Sequence, residues 1–226
     1  MLKEVGVIII IGQQGSGKTL LSTKMATVEY KVHKRKVISN YKIKGIPNLE
    51  MSFYDIVQML ESQVMPTTIV DANGKPINLK DAYKKAFGIT PKSVEEIFKD
   101  AVIVMDELHV AAHSYTFLSK KSRTLAEFAS QVRKRGMLFI GVTQFMSQVT
   151  KQIRTQAKYQ IEVSKVEIDK FENVNYFVAR VRSASSNAMQ DRGYYDELKN
   201  VIMLDLSDYY DKYDTSQIIH YKPKDV

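Results

Sequence analysis

Gly12-Gln-Gln-Gly-Ser-Gly-Lys-Thr19 is the stretch that decides the fold, because it matches the phosphate-loop pattern G-x-x-x-x-G-K-[ST]. It lies between an apolar, β-branched run, Val5–Ile11, and a segment without helix breakers, Lys18–His33. Glycines let the backbone curl so that successive N–H groups point at one anion, and the following helix directs its positive end to the same place. The stretch therefore predicts a P-loop that binds the phosphates of a nucleoside triphosphate.

Individual residues of this loop have separate predicted roles. Lys18 is expected to bridge the β- and γ-phosphates, and the Thr19 hydroxyl to ligate Mg²⁺. The alternative is a glycine-rich turn without a ligand, which the strand before it and the helix after it argue against. We therefore expect ATP and Mg²⁺ as cofactors. The predicted nucleotide-binding residues are Gly12, Gln13, Gln14, Gly15, Ser16, Gly17, Lys18, Thr19 and Leu20.

A second apolar run, Ala101-Val-Ile-Val-Met-Asp-Glu107, ends in two carboxylates. The carboxyl ends of parallel strands face the ligand crevice, so both acids are predicted to lie beside the P-loop. Asp106 is expected to hold Mg²⁺ through its water shell, and Glu107 to orient and deprotonate the attacking water. Without the P-loop the pair is equally compatible with an acidic helix cap. With it, a second carboxylate favours hydrolysis over transfer to another acceptor.

Two further polar residues close predicted strands near the same crevice. Gln144 follows the strand Met137–Thr143 and is predicted to reach the γ-phosphate or the lytic water; the alternative is an ordinary helix N-terminus. Asn40 closes the short strand Lys36–Asn40 and is a weaker candidate for the same site.

Cations and histidines supply the remaining candidates. Arg133, Lys134 and Arg135 occupy the last turn of a predicted helix, where cations complement the helix dipole. The more specific hypothesis makes Arg133 an arginine finger for the nucleotide of a neighbouring subunit. His109 and His113 have helical spacing but no evident third ligand, so we expect packed or exposed side chains and no metal site.

Strand and helix patterns alternate along the chain, which predicts an α/β fold of the P-loop NTPase class, with a largely parallel central sheet between helices. After Thr143 the pattern changes to alternating apolar and polar residues. Tyr159–Glu167 and Val174–Arg182 predict a C-terminal β-hairpin, spanning about residues 158–182, at the sheet edge. Val201–Leu206 is a candidate for a further strand.

Helices are predicted at four other places in a single domain of residues 1–226. The first covers Ser52–Val64. An insertion, residues 66–100, holds a polar turn near Asp71–Pro76 and two short helices. Pro91 is expected at the first position of the second of these. The predicted helices are Ser52–Val64, Leu79–Phe87, Pro91–Lys99 and Thr124–Arg135, the last one closed by Gly136.

Composition excludes several classes of protein. The 226 residues contain no cysteine, so there is no disulfide framework, thiolate metal site or cysteine nucleophile. No run approaches the ~18 to 20 apolar residues that cross a bilayer. The N-terminus does not have the pattern of a signal peptide. We expect a cytoplasmic protein without a transmembrane segment.

The net charge of +8 is concentrated in one segment, Lys120–Lys158. Such an excess suits a polyanionic partner such as nucleic acid. A solvated basic face and an anionic membrane surface are the alternatives. The segment holds one anion, Glu127, and nine cations: Lys120, Lys121, Arg123, Arg133, Lys134, Arg135, Lys151, Arg154 and Lys158.

Together these motifs resemble the FtsK/HerA-type ATPases, particularly the branch with Zot-like phage assembly proteins and viral genome-packaging ATPases. The resemblance implies a RecA/FtsK-like fold and a ring, usually of six subunits, that couples ATP hydrolysis to moving DNA through a pore. It also assigns the roles above to Lys18, Thr19, Asp106, Glu107 and Gln144, with Arg133 at the recurring arginine. The matching stretches are Gly12–Thr19, Val104–His109, Arg133–Gln144 and Tyr213-Asp-Thr215.

Several functions remain open at this point. The leading hypothesis is an ATP-driven DNA translocase that packages a viral genome. The alternative is an assembly or secretion ATPase that acts on coat or membrane proteins. Zot-like assembly proteins normally carry a membrane anchor after the ATPase domain, and its absence from this sequence favours the packaging motor. A P-loop kinase for small molecules and a non-hydrolysing switch are less favoured, because neither requires Glu107.

Overall fold

The computed structural model describes residues 4–71, 73–111, 128, 131–167, 175–183 and 197–213. The strands are β1 Gly6–Ile11, β2 Lys36–Ser39, β3 Leu49–Glu50, β4 Thr68–Val70, β5 Pro76–Asn78, β6 Ala101–Met105, β7 Leu138–Val142, β8 Ala157–Glu167, β9 Asn175–Ser183 and β10 Glu197–Asp205. The α-helices are α1 Lys18–His33, α2 Phe53–Ser62, α3 Leu79–Phe87, α4 Val94–Phe98, α5 Leu108–Ala111 and α6 Lys151–Gln156. Met146–Gln148 and Ser207–Lys212 are 3₁₀ helices.

Eight strands form one sheet in the order β10-β9-β8-β1-β7-β6-β2-β3. The pairs from β8 to β3 are parallel, and β9 and β10 are antiparallel to their neighbours. This confirms the predicted α/β fold with a largely parallel sheet. Parallel strands align their carboxyl ends, so the residues that follow β1, β2, β6 and β7 meet at one edge.

The central strands are apolar on both sides because both faces of the sheet are covered. Val7 and Ile9 of β1 face a core that includes residues of α2, α3, α4 and α6. Ile8 and Ile10 face the opposite core, to which α1 contributes Leu20. Every residue from Val7 to Ile10 is therefore apolar, because successive side chains of β1 pack into two different cores.

The insertion, residues 66–100, completes the first of these cores. Its α3 and α4 bury Tyr83 and Phe98 against the sheet. A small antiparallel hairpin, β4 and β5, precedes them, and the Val70 N–H donates to the Asp55 carboxylate of α2 at 3.0 Å. The insertion thus has a structural function, since it seals one face of the sheet.

Helix boundaries agree with the sequence for two helices and differ for two others. The helix predicted for Ser52–Val64 is the shorter α2, because Ser52 is its N-cap and Gln63 its C-cap. The bounds of α1 and α3 are those predicted.

The prediction of Pro91 as a first helical residue is wrong, because α4 begins at Val94. Ser93 caps it by accepting the Glu96 N–H at 3.2 Å, which places the helix start after the serine. Among the described elements, the sequence did not predict β3, β4, β5, α5, α6 or the 3₁₀ helices.

The C-terminal hairpin is confirmed as β8 and β9, but its predicted position at the sheet edge is wrong. β8 pairs with β1, and β10 covers β9 on the other side. In the helix predicted for Thr124–Arg135, the described residues Phe128 and 131–134 are helical, and Gly136 follows with φ +66°. Residues 124–127 and 129–130 lie outside the described part of the chain.

A buried arginine connects the elements at the amino edge of the sheet. The Arg35 guanidinium contacts the carboxylates of Glu29 at 3.3 Å and Asp100 at 3.2 Å, and donates to the Gly136 carbonyl at 3.2 Å. Its side chain is fully buried, where an arginine requires such partners. These contacts join the end of α1 to the segments that enter β6 and β7.

Candidate functional site

The predicted P-loop follows β1 at the carboxyl edge of the sheet. Gly12, Gly15 and Gly17 have φ values of +151°, +75° and +87°, conformations that a side chain would strain. The Gly12 N–H donates to the Gln144 carbonyl at 3.4 Å, and the Ser16 N–H to the Gln13 carbonyl at 3.2 Å. The loop therefore has the tight curl that the glycine spacing predicts.

The β8–β9 hairpin forms a wall behind this loop. A Cβ on Gly12 would lie 2.3 Å from the Val163 carbonyl oxygen, and a Cβ on Gly17 would lie 2.5 Å from the Phe177 ring. Two of the glycines are thus required both by backbone conformation and by close packing.

Lys18 lies inside the curl with its ammonium group directed at the loop. Its Nζ donates to the Gln13 carbonyl at 2.8 Å. Burial lowers the pKa of Lys18, and the negative charges of Asp106 and Glu107 partly oppose this effect. The structure therefore brings the lysine and both acids of the prediction into one electrostatic cluster.

Thr19 and Asp106 meet directly, although 87 positions separate them in the chain. The Thr19 hydroxyl donates to Asp106 Oδ2 at 2.8 Å. Burial raises the pKa of Asp106 to about 6, against the lowering effect of its hydrogen bond from Thr19. A hydroxyl and a carboxylate at this distance are the hard oxygen donors that suit Mg²⁺.

Asn40 holds the backbone of Asp106. Its Nδ2 donates to the Asp106 carbonyl at 2.8 Å, and its Oδ1 accepts the Asp106 N–H at 2.9 Å. Both polar atoms of the Asn40 side chain thus bond the main chain of Asp106. Asn40 is buried, with 2% of its surface exposed. The sequence placed Asn40 near the crevice but did not predict this clamp.

Glu107 occupies a sharp turn between β6 and α5. Its φ is +51°, and its N–H donates to Asp106 Oδ1 at 2.9 Å. Its side chain is 42% exposed, with Oε2 at 3.2 Å from Nδ1 of His109. The predicted catalytic acid is therefore beside Asp106 and open to solvent.

Gln144 and Arg133 lie at opposite ends of β7. Gln144 follows the strand and contacts the loop through its main chain. Arg133 is exposed and precedes the strand, whose first residue, Leu138, pairs with Gly6 at the start of β1. The strand of about five residues separates the two by roughly 17 Å, so Arg133 does not belong to the P-loop site of its own chain.

Comparison with known proteins identifies the family. The family model described as zonular occludens toxin (Zot) matches residues 6–187, most of the chain. This chain belongs to the Zot family. Among curated proteins, no sequence match was found.

Solved structures similar to this Zot-family chain include the N-terminal domain of zonular occludens toxin from Neisseria meningitidis. The TM-score is 0.53 at 15% identity, over 93% of this chain and 99% of that one. The genome-packaging NTPase B204 from Sulfolobus turreted icosahedral virus 2, in its sulfate complex, has a TM-score of 0.48 at 15% identity. The match covers 90% of this chain and 96% of that one. The ATP-gammaS complex of the same NTPase has a TM-score of 0.47 at 14% identity, over 90% of this chain and 98% of that one.

The basic segment of the Zot-family chain is partly neutralised. Arg135 pairs with Glu95 at 3.3 Å, and Lys158 pairs with Glu4 at 2.7 Å. Lys151 and Arg154 have interactions of their own, whereas Arg133 and Lys134 are exposed. Lys120, Lys121, Arg123 and Glu127 lie outside the described residues.

A tyrosine pair, which the sequence did not single out as a pair, joins the last described residues to α1. The Tyr41 hydroxyl lies 3.1 Å from that of Ser22 and 3.0 Å from that of Thr23. The ring of Tyr213 packs edge-on against Tyr41, with centroids 6.2 Å apart. Tyr213 belongs to the fourth matching stretch, near the C-terminus; Asp214 and Thr215 lie outside the described part.

Two further observations concern the described residues alone. They contain no cluster of three or more acids and histidines that could hold a metal, and His113 is not among them. None of their helices has the length and apolar character needed to span a bilayer.

Proposed function

We propose that this Zot-family chain is a Mg²⁺-dependent ATPase. The observation that carries the proposal is the 2.8 Å contact between Thr19 and Asp106, directly beside the curled P-loop. It unites the two halves of a nucleotide site that are distant in sequence. A glycine turn without a ligand would not require a buried carboxylate at this position.

Each residue of the site has a role in this proposal. The N–H groups from Gly12 to Leu20 bind the phosphates, and Lys18 bridges the β- and γ-phosphates. Thr19 and Asp106 would hold Mg²⁺, which when bound supplies positive charge against the phosphates. Glu107 orients the attacking water and takes its proton, and Gln144 contacts the γ-phosphate or that water.

We further propose that hydrolysis moves double-stranded DNA, as in viral genome packaging. The net charge of +8 and the exposed cation Lys134 support a polyanionic substrate. A ring of subunits, six by family resemblance, would bring Arg133 of one chain to the nucleotide of its neighbour. The distance of Arg133 from its own P-loop agrees with an action between subunits.

A second candidate is an assembly or secretion ATPase that acts on coat or membrane proteins. Family membership favours it. So does the pairing of Arg135 and Lys158 with acids, which reduces the charge available to DNA. A small-molecule kinase is not favoured, because Glu107 stands beside Asp106 where a water-activating base is needed.

The deciding experiment measures ATP turnover and ATP binding of Glu107→Gln. We expect binding to persist and turnover to fall by about 10² to 10⁴-fold, the usual contribution of a general base. Glu95→Gln is the matched control, since Glu95 is an exposed acid paired with Arg135. Normal turnover of Glu107→Gln would remove Glu107 from the mechanism.

The substrate is tested by adding double-stranded DNA to the wild-type protein at low salt. We expect turnover to rise and the effect to fall steeply as salt increases, because DNA binding releases counterions. Unchanged turnover at saturating DNA would refute the translocase and leave the protein-directed ATPase. Stimulation by a co-purifying coat or membrane protein would then support that alternative.

A further inference from the structure

The backbone at Glu107 is strained. A φ of +51° lies in the left-handed region, which is unfavourable for a residue with a side chain. Such a conformation persists when neighbouring contacts hold it, and strained residues concentrate at functional sites. The conformation of Glu107 therefore depends on the contacts that surround this turn.

The main chain of this turn is held on both sides. Before it, the Asp106 carboxylate accepts the Glu107 N–H at 2.9 Å. After it, Leu108 is fully buried against β7, so closely that a Cβ on Gly141 would lie 2.5 Å from Leu108 Cδ2. These contacts hold the backbone of Glu107 and do not involve its carboxylate.

His109 is the neighbour that contacts the carboxylate. Its Nδ1 lies 3.2 Å from Glu107 Oε2, and its side chain is 19% exposed against 42% for Glu107. The ring is thus the more buried and better packed partner, on the first turn of α5. The contact is not aligned as a hydrogen bond, and Nδ1 is buried without a hydrogen-bond partner among the described residues. Hydrogen bonds of catalytic groups often align only in the reacting complex, so this Nδ1 is available to bond the carboxylate there.

We infer that His109 positions the Glu107 carboxylate for its reaction with water. The inference rests on the proposed role of Glu107 as the general base. His109 is a positioning residue in this scheme, since it acts through Glu107 and not on the nucleotide. With a proton on Nδ1 it donates to Oε2 and leaves Oε1 to face the water. Fixing one rotamer in this way matters because small displacements of a reacting group reduce rates strongly.

The test compares His109→Ala with His109→Asn in the full chain. We expect His109→Ala to lower kcat by about 10 to 100-fold, the effect of a displacement of roughly 1 Å, with KM for ATP changed less than about twofold. An asparagine amide can donate from nearly the position of Nδ1, so His109→Asn should recover a large part of kcat. His33→Ala is the control, since His33 ends α1 at the amino edge of the sheet.

A double variant separates positioning from a structural role. With Glu107 replaced by Gln, the further change His109→Ala should leave the residual turnover unchanged, because the group that it positions is gone. A structural role of His109 would instead lower turnover and ATP binding in both backgrounds.

The possible results are distinct. An unchanged kcat of His109→Ala, or equal losses from His109→Ala and His109→Asn, would overturn the inference while Glu107→Gln still tests the proposed function. A wild-type protein without ATP turnover would overturn the proposed function itself, and the inference with it.

Discussion

At the scale of single residues, Asp106 is a buried carboxylate. Its pKa is raised to about 6 because burial destabilises the charged form. An unfolded aspartate titrates near 3.8. The folded chain therefore binds this proton more tightly, and its stability falls as pH rises from about 4 through 6. Without Mg²⁺ we expect Asp106→Asn to raise the free energy of unfolding at pH 8, by up to about 3 kcal/mol.

Denaturant unfolding at two pH values in a chelator checks this expectation. The asparagine can accept the Glu107 N–H and donate to Thr19, so both hydrogen bonds can be retained. Near pH 4 the aspartate is neutral as well, and the two proteins should be almost equally stable. A variant less stable than the wild type at pH 8 would show that burial of the charge is not costly.

Asn40 offers a second prediction, because it holds the main chain of Asp106 on both sides. We expect Asn40→Ala to reduce stability by about 1 to 3 kcal/mol, since it leaves buried polar groups unpaired. It should also raise the Mg²⁺ concentration needed for half-maximal turnover, because the position of Asp106 is no longer held. A Mg²⁺ titration of ATPase activity measures this effect.

Asn48→Ala is the matched control for that experiment. Asn48 donates to the Ser39 hydroxyl at 2.9 Å and to the Tyr41 carbonyl at 3.3 Å, without touching Asp106. We expect a similar loss of stability but an unchanged Mg²⁺ requirement. Equal Mg²⁺ titrations for Asn40→Ala and Asn48→Ala would refute a specific role of Asn40 in placing Asp106.

At the scale of elements, the contact between the P-loop and β9 leads to a prediction about glycines. We expect Gly17→Ala to unfold the loop or abolish ATP binding, because its Cβ would enter the Phe177 ring at 2.5 Å. Gly88→Ala is the control. Gly88 has a left-handed φ of +77°, close to the +87° of Gly17, but a Cβ added there would meet no atom within 4 Å. Gly88 is the C-cap of α3 and does not belong to the P-loop. Gly88→Ala should cost about 1 to 2 kcal/mol.

Thermal unfolding and ATP binding of both variants measure the two contributions separately. Strain alone predicts equal losses of stability for Gly17→Ala and Gly88→Ala. A larger loss at Gly17 isolates the close approach of Phe177. Normal ATP binding by Gly17→Ala would show that β9 yields easily and does not form a rigid wall.

Local sequence signals predicted the elements that depend on near neighbours. The bounds of α1 and α3 came from helix patterns and their flanking residues, and β1 from its isoleucine run. The place of β10 beside β9 could not be obtained this way, because pairing of distant strands depends on tertiary contacts. The start of α4 was misjudged because Pro91 and Ser93 both resemble helix starts, and the Ser93 hydrogen bond decides between them.

At the scale of the whole molecule, Arg133 and the P-loop lie at opposite edges of the sheet. An arginine finger at Arg133 must therefore act on a neighbouring subunit. We expect Arg133→Ala and Glu107→Gln to be nearly inactive alone but to recover turnover when mixed. Random assortment would restore up to roughly a quarter of the sites, each with Glu107 from one chain and Arg133 from the next.

The control mixes Lys18→Ala with Glu107→Gln, whose defects both concern the site of the chain that carries them. Subunit exchange cannot repair such a site, so this mixture should stay inactive. Recovery in the control, or none in the first mixture, would refute the assignment of Arg133 as a finger between subunits.

The sequence by itself determined the phosphate loop, the acids after β6 and the alternation of strands and helices. Each depends on residues a few positions apart, whose backbone preferences and periodicity are local properties. Only the tertiary structure decided that Asn40 holds Asp106 across 66 positions, that Phe177 packs against Gly17, and that Arg133 lies at the end of β7 opposite to its own loop. Those contacts arise when strands distant in the chain are packed side by side, and no short-range pattern encodes the register in which they meet.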